Sequence, residues 1–191
     1  MKRNYVFLAD GFEELEAVAV IDVLRRAGLC VETVAVTNGI DGLDVTGSHG
    51  VTIKAEEGLD AVDLDLADWI IIPGGLDGTN NIAANSKAGD LIKAHAAKGG
   101  RIAAICAAPA IVLAPLGVIK DYEVTVYPGM EQPCRDAGAK MINVPVATDR
   151  NIITGNGPAA AIEFALAIVS NTVNVGLMNE IAAAMQYHRD Y

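Results

Sequence analysis

Cys106 stands where the apolar run Ile102-Ala103-Ala104-Ile105 gives way to Ala107-Ala108-Pro109. A nucleophile at such a strand-to-helix corner sits on a sharp turn. That turn needs small residues two before and two after it, because the backbones crowd there. Ala104 and Ala108 meet the need, with alanine where the better-known motif has glycine. A thiol at a helix start also feels the positive end of the helix dipole, which favours the thiolate. Position alone suits a small, inert buried thiol equally well.

Glu16 raises the case for chemistry. On a helical wheel it shares a face with Val20, Val23, Leu24 and Ala27, while Glu14, Asp22, Arg25 and Arg26 lie on the other side. A carboxyl in an apolar stripe is costly unless paired, protonated or used. A salt-bridged or snorkelling glutamate is the alternative reading. A carboxyl on that stripe is expected to stay protonated near neutral pH, and the Cys106 pKa is expected well below the free-thiol value of about 8.5. Gly74-Gly75, after Ile70-Ile71-Ile72-Pro73, offers backbone N–H groups to an oxyanion or carboxylate. Gly155-Asn156-Gly157-Pro158 is a weaker version of the same signal. Among the histidines, His95 falls at helical spacing from Leu91 and reads as packed, and His188 belongs to the terminal His188-Arg189-Asp190. His49, in the turn Gly47-Ser48-His49-Gly50, is the histidine with a route to a ligand crevice. The sequence has no HExxH and no Cys/His pair at zinc spacing, so no metal is expected.

The elements that must position these residues alternate between strand and helix. Apolar runs predict strands over 5–9, 30–36, 68–73, 101–105, 124–126 and 152–154. Runs over 43–46 and 51–54, joined by the glycine-flanked turn, predict a hairpin, and Asn38-Gly39 a turn before it. Helical patterns cover 13–27, 86–98, 107–116, 159–170 and 175–187. The alternation predicts an α/β sandwich, a mainly parallel sheet with helices on both faces. Ligands bind beyond the carboxyl ends of such strands, which groups Asp10-Gly11-Phe12, Gly74-Gly75, Cys106 and Asn156-Gly157 in one neighbourhood.

Composition agrees and excludes other classes. The 191 residues predict a single domain over 1–191. They are 52% hydrophobic but only 5% aromatic, so small aliphatic side chains must build the core. Fourteen basic against twenty-four acidic residues leave a net charge of −10, which disfavours nucleic acid and anionic membranes as partners. No apolar run reaches the ~18 residues of a membrane span, and the short run after Lys2-Arg3 ends at Asp10-Gly11, unlike a signal peptide. Cys30, Cys106 and Cys134, odd in number and widely spaced, fit a cytoplasmic protein with reduced thiols.

Taken together, Gly11-Phe12-Glu13-Glu14-Leu15-Glu16, Arg26-Ala27-Gly28, Ile72-Pro73-Gly74-Gly75, Ala103-Ala104-Ile105-Cys106-Ala107-Ala108-Pro109 and Gly157-Pro158 resemble the ThiJ/PfpI superfamily. Within it they are similar to the branch of the Parkinson-disease protein deglycase and its bacterial relatives. The resemblance runs from residue 5 to about 187. It implies a flavodoxin-like three-layer sandwich with a small β-hairpin, and a homodimer. It implies that Cys106 is the reactive, oxidisable cysteine, Glu16 the protonated acid beside it, and Gly75 and Ala107 backbone donors, next to Gly74. The branch is credited with glutathione-independent glyoxalase, deglycase, chaperone and oxidative-stress-sensing activities.

Three positions depart from the pattern. Tyr127, in Val124-Thr125-Val126-Tyr127-Pro128, stands where some relatives have His; His49 and Asn156 stand where some have Arg. All three are candidate substrate-binding residues. Ala107 replaces the His that follows the cysteine in the protease-like branch, so proteolysis is not expected, nor is glutamine amidotransfer, which would need a His-x-Glu. The expected function is cysteine-dependent chemistry on small aldehydes such as methylglyoxal, or on glycated groups, without organic cofactor or metal. The alternative is a non-catalytic redox sensor or chaperone working through oxidation of Cys106.

Overall fold

The computed structural model describes residues 2–37 and 42–188. The expected Asn38-Gly39 turn and the Arg189-Asp190 part of the tail lie outside the described residues. The chain opens with β1 (Arg3–Leu8), α1 (Glu14–Arg26) and β2 (Val31–Ala35). The hairpin β3 (Asp44–Thr46) and β4 (Thr52–Lys54) and a short β5 (Glu57–Gly58) follow. Next, β6 (Ala67–Ile72) leads into α2 (Leu76–Ala84) and α3 (Ser86–Ala97). β7 (Arg101–Ile105) leads into a π-helix over Pro109–Leu113 and the short α4 (Ala114–Leu116). The remainder comprises β8 (Glu123–Val124), α5 (Glu131–Asp136), β9 (Lys140–Met141), β10 (Val146–Asp149), β11 (Ile152–Gly155), α6 (Ala161–Thr172) and α7 (Val175–Ala184).

The main sheet runs β10-β11-β7-β6-β1-β2-β5, and every pairing in it is parallel except β10 with β11. Its central strands β1, β6 and β7 are near-continuous apolar runs because both faces are covered. Alternation then divides the side chains. Tyr5, Phe7, Ile70, Ile72, Ile102 and Ala104 pack with Ile82 of α2, Ile92 of α3 and Cys134 of α5. Val6, Leu8, Trp69, Ile71, Ala103 and Ile105 pack with Val20 and Leu24 of α1 and Phe164 of α6. This is the expected three-layer sandwich with helices on both faces. The β3–β4 hairpin forms its own antiparallel pair.

Three elements differ from expectation. Residues 107–116 do not form one α-helix. Pro115 has no N–H to offer Ile111, and its ring would collide with that carbonyl. The turn widens instead, and the Ala114 N–H reaches Pro109. Residues 124–126 do not join the main sheet: β8 pairs with β9 in a separate parallel pair. Helix α2, directly after Gly74-Gly75, was not expected at all, and it follows the site loop on one side of the crevice. No helix among the described residues is long and apolar enough to cross a membrane.

Candidate active site

Cys106 adopts φ 65°, a left-handed backbone that costs an ordinary residue about 1–2 kcal/mol. The surroundings hold it there. Its N–H donates to the Gly155 carbonyl at 2.9 Å, and its own carbonyl accepts from the Tyr127 N–H at 3.0 Å. Ala104 and Ala108, both fully buried, leave room for the turn. The Cys106 side chain thus stands at the carboxyl end of β7 with little exposure.

Glu16 meets it there from the first full turn of α1, with no solvent exposure. The Gly74 N–H donates to Glu16 Oε2 at 2.6 Å. Glu16 and Cys106 lie near enough for each to shift the other's proton affinity, while Glu16 Oε1 has no partner among the described residues. Gly74 lies between the two groups: a Cβ there would overlap both Cys106 Cβ and Glu16 Oε2. Gly75, at φ 89°, could not carry one either, because it would strike the Gly11 carbonyl. The Gly75 and Ala107 N–H groups both donate toward the Cys106 sulfur. These residues are legible as Cys106, Glu16, Gly74, Gly75 and Ala107 in sequence, and the fold brings all five together.

The electrostatics differ from the helix-end expectation. Burial pushes the Glu16 carboxyl up to about 7, with the Gly74 and Cys106 hydrogen bonds opposing. Burial, then the charge of an ionised Glu16, pushes the Cys106 thiol up to about 12, with the Gly75 and Ala107 N–H groups opposing. The expectation of a lowered thiol, from the helix end and a protonated Glu16, is not met: it leaves out the desolvation of the sulfur and the charge Glu16 carries once ionised, and the segment after Cys106 is not a regular α-helix. The two groups titrate as a pair, because loss of a proton from either raises the other.

The remaining candidates lie around this centre. The Tyr127 ring stacks beside Gly157 and is half exposed. Asn156 borders a cavity of about 260 Å³ together with Thr125, Pro128, Glu131 and Arg135. Neither the Tyr127 hydroxyl nor the Asn156 carboxamide hydrogen-bonds to Cys106 or Glu16 among the described residues. His49 turns to Glu14: its Nδ1 lies 2.9 Å from Glu14 Oε2, and its backbone N–H donates to Glu14 Oε1 at 2.6 Å. His95 is buried, with Nε2 between the Asp68 and Arg101 carbonyls, and burial lowers its pKa. It is a packed histidine, as its spacing suggests. Sequence reasoning missed Glu14, placed on the solvent side of α1 but in fact buried under the 47–50 turn. Glu13, read in sequence only as the start of the helix over 13–27, caps α1 and joins the same cluster.

The sequence pattern of the DJ-1/PfpI family matches residues 2–171. The chain belongs to this family. Protein dj-1beta of Drosophila melanogaster is 40% identical over 184 residues, 96% of either chain. Glutathione-independent glyoxalase DJR-1.2 of Caenorhabditis elegans is 35% identical over 157 residues, 82% of this chain and 81% of that protein. The solved structure of oxidized Toxoplasma gondii DJ-1 matches with a TM-score of 0.91 at 34% identity, covering 99% of this chain and 100% of that one. The DJ-1/PfpI assignment and the sandwich therefore agree from sequence and from shape.

Proposed function

We propose that this chain is a cysteine-dependent enzyme acting on small reactive carbonyls, of the glyoxalase or deglycase type. Cys106 is its nucleophile and Glu16 its proton-transfer group. One observation carries the reading: a buried carboxyl and a buried thiol meet across a glycine, with two backbone N–H groups directed at the sulfur. Membership of a family that includes the glyoxalase DJR-1.2 supports it.

The reactive form is the pair carrying one proton. With that proton on Glu16, the thiolate receives the Gly75 and Ala107 N–H groups and the carboxyl O–H, and no negative charge opposes it. Cys106 Sγ attacks the aldehyde carbon of methylglyoxal, forming a C–S bond while the carbonyl electrons move to oxygen. The Gly75 and Ala107 N–H groups stabilise that oxyanion, and Glu16 protonates it. The resulting carboxylate moves a proton from the former aldehyde carbon to its neighbour, and the hydroxyl proton of the first carbon passes to the oxygen of the second, giving a lactoyl thioester. Water cleaves the thioester, releasing lactate and a proton and returning the pair with its single proton. The sequence is an isomerisation followed by hydrolysis and requires no oxidant or reductant.

The test is lactate formation from methylglyoxal by the wild type and by Cys106→Ser. Turnover is expected in the first and only background in the second; equal rates would overturn the reading. The competing reading, a redox sensor, rests on the same donors, which would also accept the oxygens of a sulfinate. No turnover together with ready peroxide oxidation of Cys106 would favour it. We also propose a homodimer through α1, where Leu15 is 64% and Val18 47% exposed. Sedimentation showing a monomer at micromolar concentration would contradict that.

A further inference from the structure

A second group of ligating side chains lies outside the Cys106 chemistry, where the start of α1 meets the turn at 47–50. Glu13 and Glu14 offer carboxylate oxygens, His49 an imidazole nitrogen, and these ligand atoms all lie within 4.8 Å of one another. His49 Nδ1 is 2.9 Å from Glu14 Oε2 and 3.7 Å from Glu13 Oε2. Ser48 Oγ points into the same space, 3.1 Å from His49 Nδ1, 3.3 Å from Glu14 Oε2 and 3.4 Å from Glu13 Oε2. A first-row metal with bonds near 2.0–2.2 Å separates neighbouring ligands by roughly 3.0–3.6 Å. The separations of the His49 nitrogen and the Ser48 hydroxyl from the carboxylates, 2.9–3.7 Å, lie at or close to such edges.

Charge points the same way. The two carboxylate side chains are only 13% and 11% exposed, and His49 is the ion-pair partner of both among the described residues. One imidazole cannot balance two carboxylates. The partial positive charge at the start of α1 is about half a unit, which leaves the pocket anionic. The group is also held in advance. Glu14 Oε1 accepts the backbone N–H groups of His49 and Val51, leaving Oε2 turned to the histidine. Gly47 packs so closely on the Glu14 carboxyl that a Cβ there would overlap it. The His49 side chain is 71% exposed, so water can complete the coordination.

We propose that Glu13, Glu14 and His49, assisted by the Ser48 hydroxyl, bind one divalent first-row transition-metal ion per chain. The mixed oxygen and imidazole donors favour zinc, cobalt or nickel over magnesium or calcium, which prefer oxygen alone. No linear motif announces the site, because its ligands come from segments separated by 35 residues. The ion would lie close to the β6–α2 loop that packs on Cys106, since the Glu13 N–H donates to the Gly74 carbonyl. The proposal does not depend on Cys106 being a catalyst.

The test is calorimetric titration of the full, chelator-treated chain with zinc chloride, repeated with cobalt by absorption spectroscopy. Wild type and Cys106→Ser are expected to bind one ion per chain with equal affinity, and the cobalt spectrum to lack a thiolate charge-transfer band. His49→Gln and Glu13→Gln, whose folding is checked by thermal melting, are each expected to weaken binding at least about tenfold. Binding that does not saturate would overturn the proposal, and so would binding unchanged in both ligand variants. Binding lost in Cys106→Ser would also overturn it, assigning the ion to the thiol instead.

Discussion

Glu14 and Glu16 are two residues apart on one helix, both are buried, and their carboxyl groups move in opposite directions. Burial pushes Glu16 up to about 7, against the Gly74 N–H and the Cys106 hydrogen bond. Burial raises Glu14 too, but hydrogen bonds from the His49 ring and from backbone N–H groups outweigh it and hold Glu14 at about 2. The difference is the supply of donors. The 47–50 turn wraps Glu14 in N–H groups, whereas Glu16 faces the sheet end with one backbone donor and an unpartnered Oε1. One position is built to keep its charge and fasten the hairpin to α1. The other is held in mid-titration near neutral pH, beside a sulfur.

That contrast breaks first under substitution. Glu16→Leu is expected to lower methylglyoxal turnover by about 10²–10⁴, the usual size of a lost proton-transfer group. The same variant should melt at a higher temperature than wild type at pH 8, because it removes a desolvated carboxyl. Glu14→Leu should destabilise the chain by about 1–3 kcal/mol, since it strands buried donors. Denaturant melts of the two variants in parallel check the pair, and a shared sign in the stability changes would break the comparison.

Acidity sharpens it. Glu16 has a raised folded-state pKa, so the folded chain holds a proton that the unfolded chain releases. Wild-type stability should therefore fall as pH rises from about 4.5 to about 7, by roughly 3 kcal/mol, relative to Glu16→Gln. Glu14 has a lowered one, so its contribution is present above about 4.5 and is lost as pH falls toward 2. Melts across this range for wild type, Glu16→Gln and Glu14→Gln separate the two slopes. The smallest effect is expected at Cys134, buried on α5 with its thiol pushed up to about 11. Cys134→Ser should leave turnover unchanged within error, and loss of activity in a folded variant would show that the wrong thiol has been chosen.

How much of this was legible in sequence depends on where a residue's neighbours come from. Helix α1 was expected over 13–27 and runs Glu14–Arg26, because its stripe and Gly28 are local signals. Cys106 and Glu16 were legible as a strand-end residue and a polar break in an apolar stripe. Helix α2 was not, because Asp77-Gly78-Thr79-Asn80-Asn81 shows no stripe and Ile82 alone of its large side chains is buried. The π-helix was invisible because five residues cannot distinguish its period from that of an α-helix. Glu14 was misplaced because a helical wheel assumes that only the sheet buries a helix, and here a hairpin turn buries its far side. The Cys106 environment could be read only in part, since the helix-end argument is local and the Glu16 carboxylate is brought by tertiary structure.

The claim that Glu16 keeps its proton while Cys106 is a thiolate has a direct measurement. Alkylation of Cys106 is followed against pH by mass spectrometry, with Cys30 and Cys134 replaced, in wild type and Glu16→Leu. If Glu16 holds the pair's one proton as proposed, its carboxylate charge no longer adds to burial in raising the thiol, so the wild-type midpoint lies below the free-thiol value of about 8.5, and Glu16→Leu moves it upward by removing the donor. A wild-type midpoint above the free-thiol value of about 8.5, or a midpoint that falls in Glu16→Leu, would mean that Glu16 ionises first and opposes the thiolate, and would contradict the account.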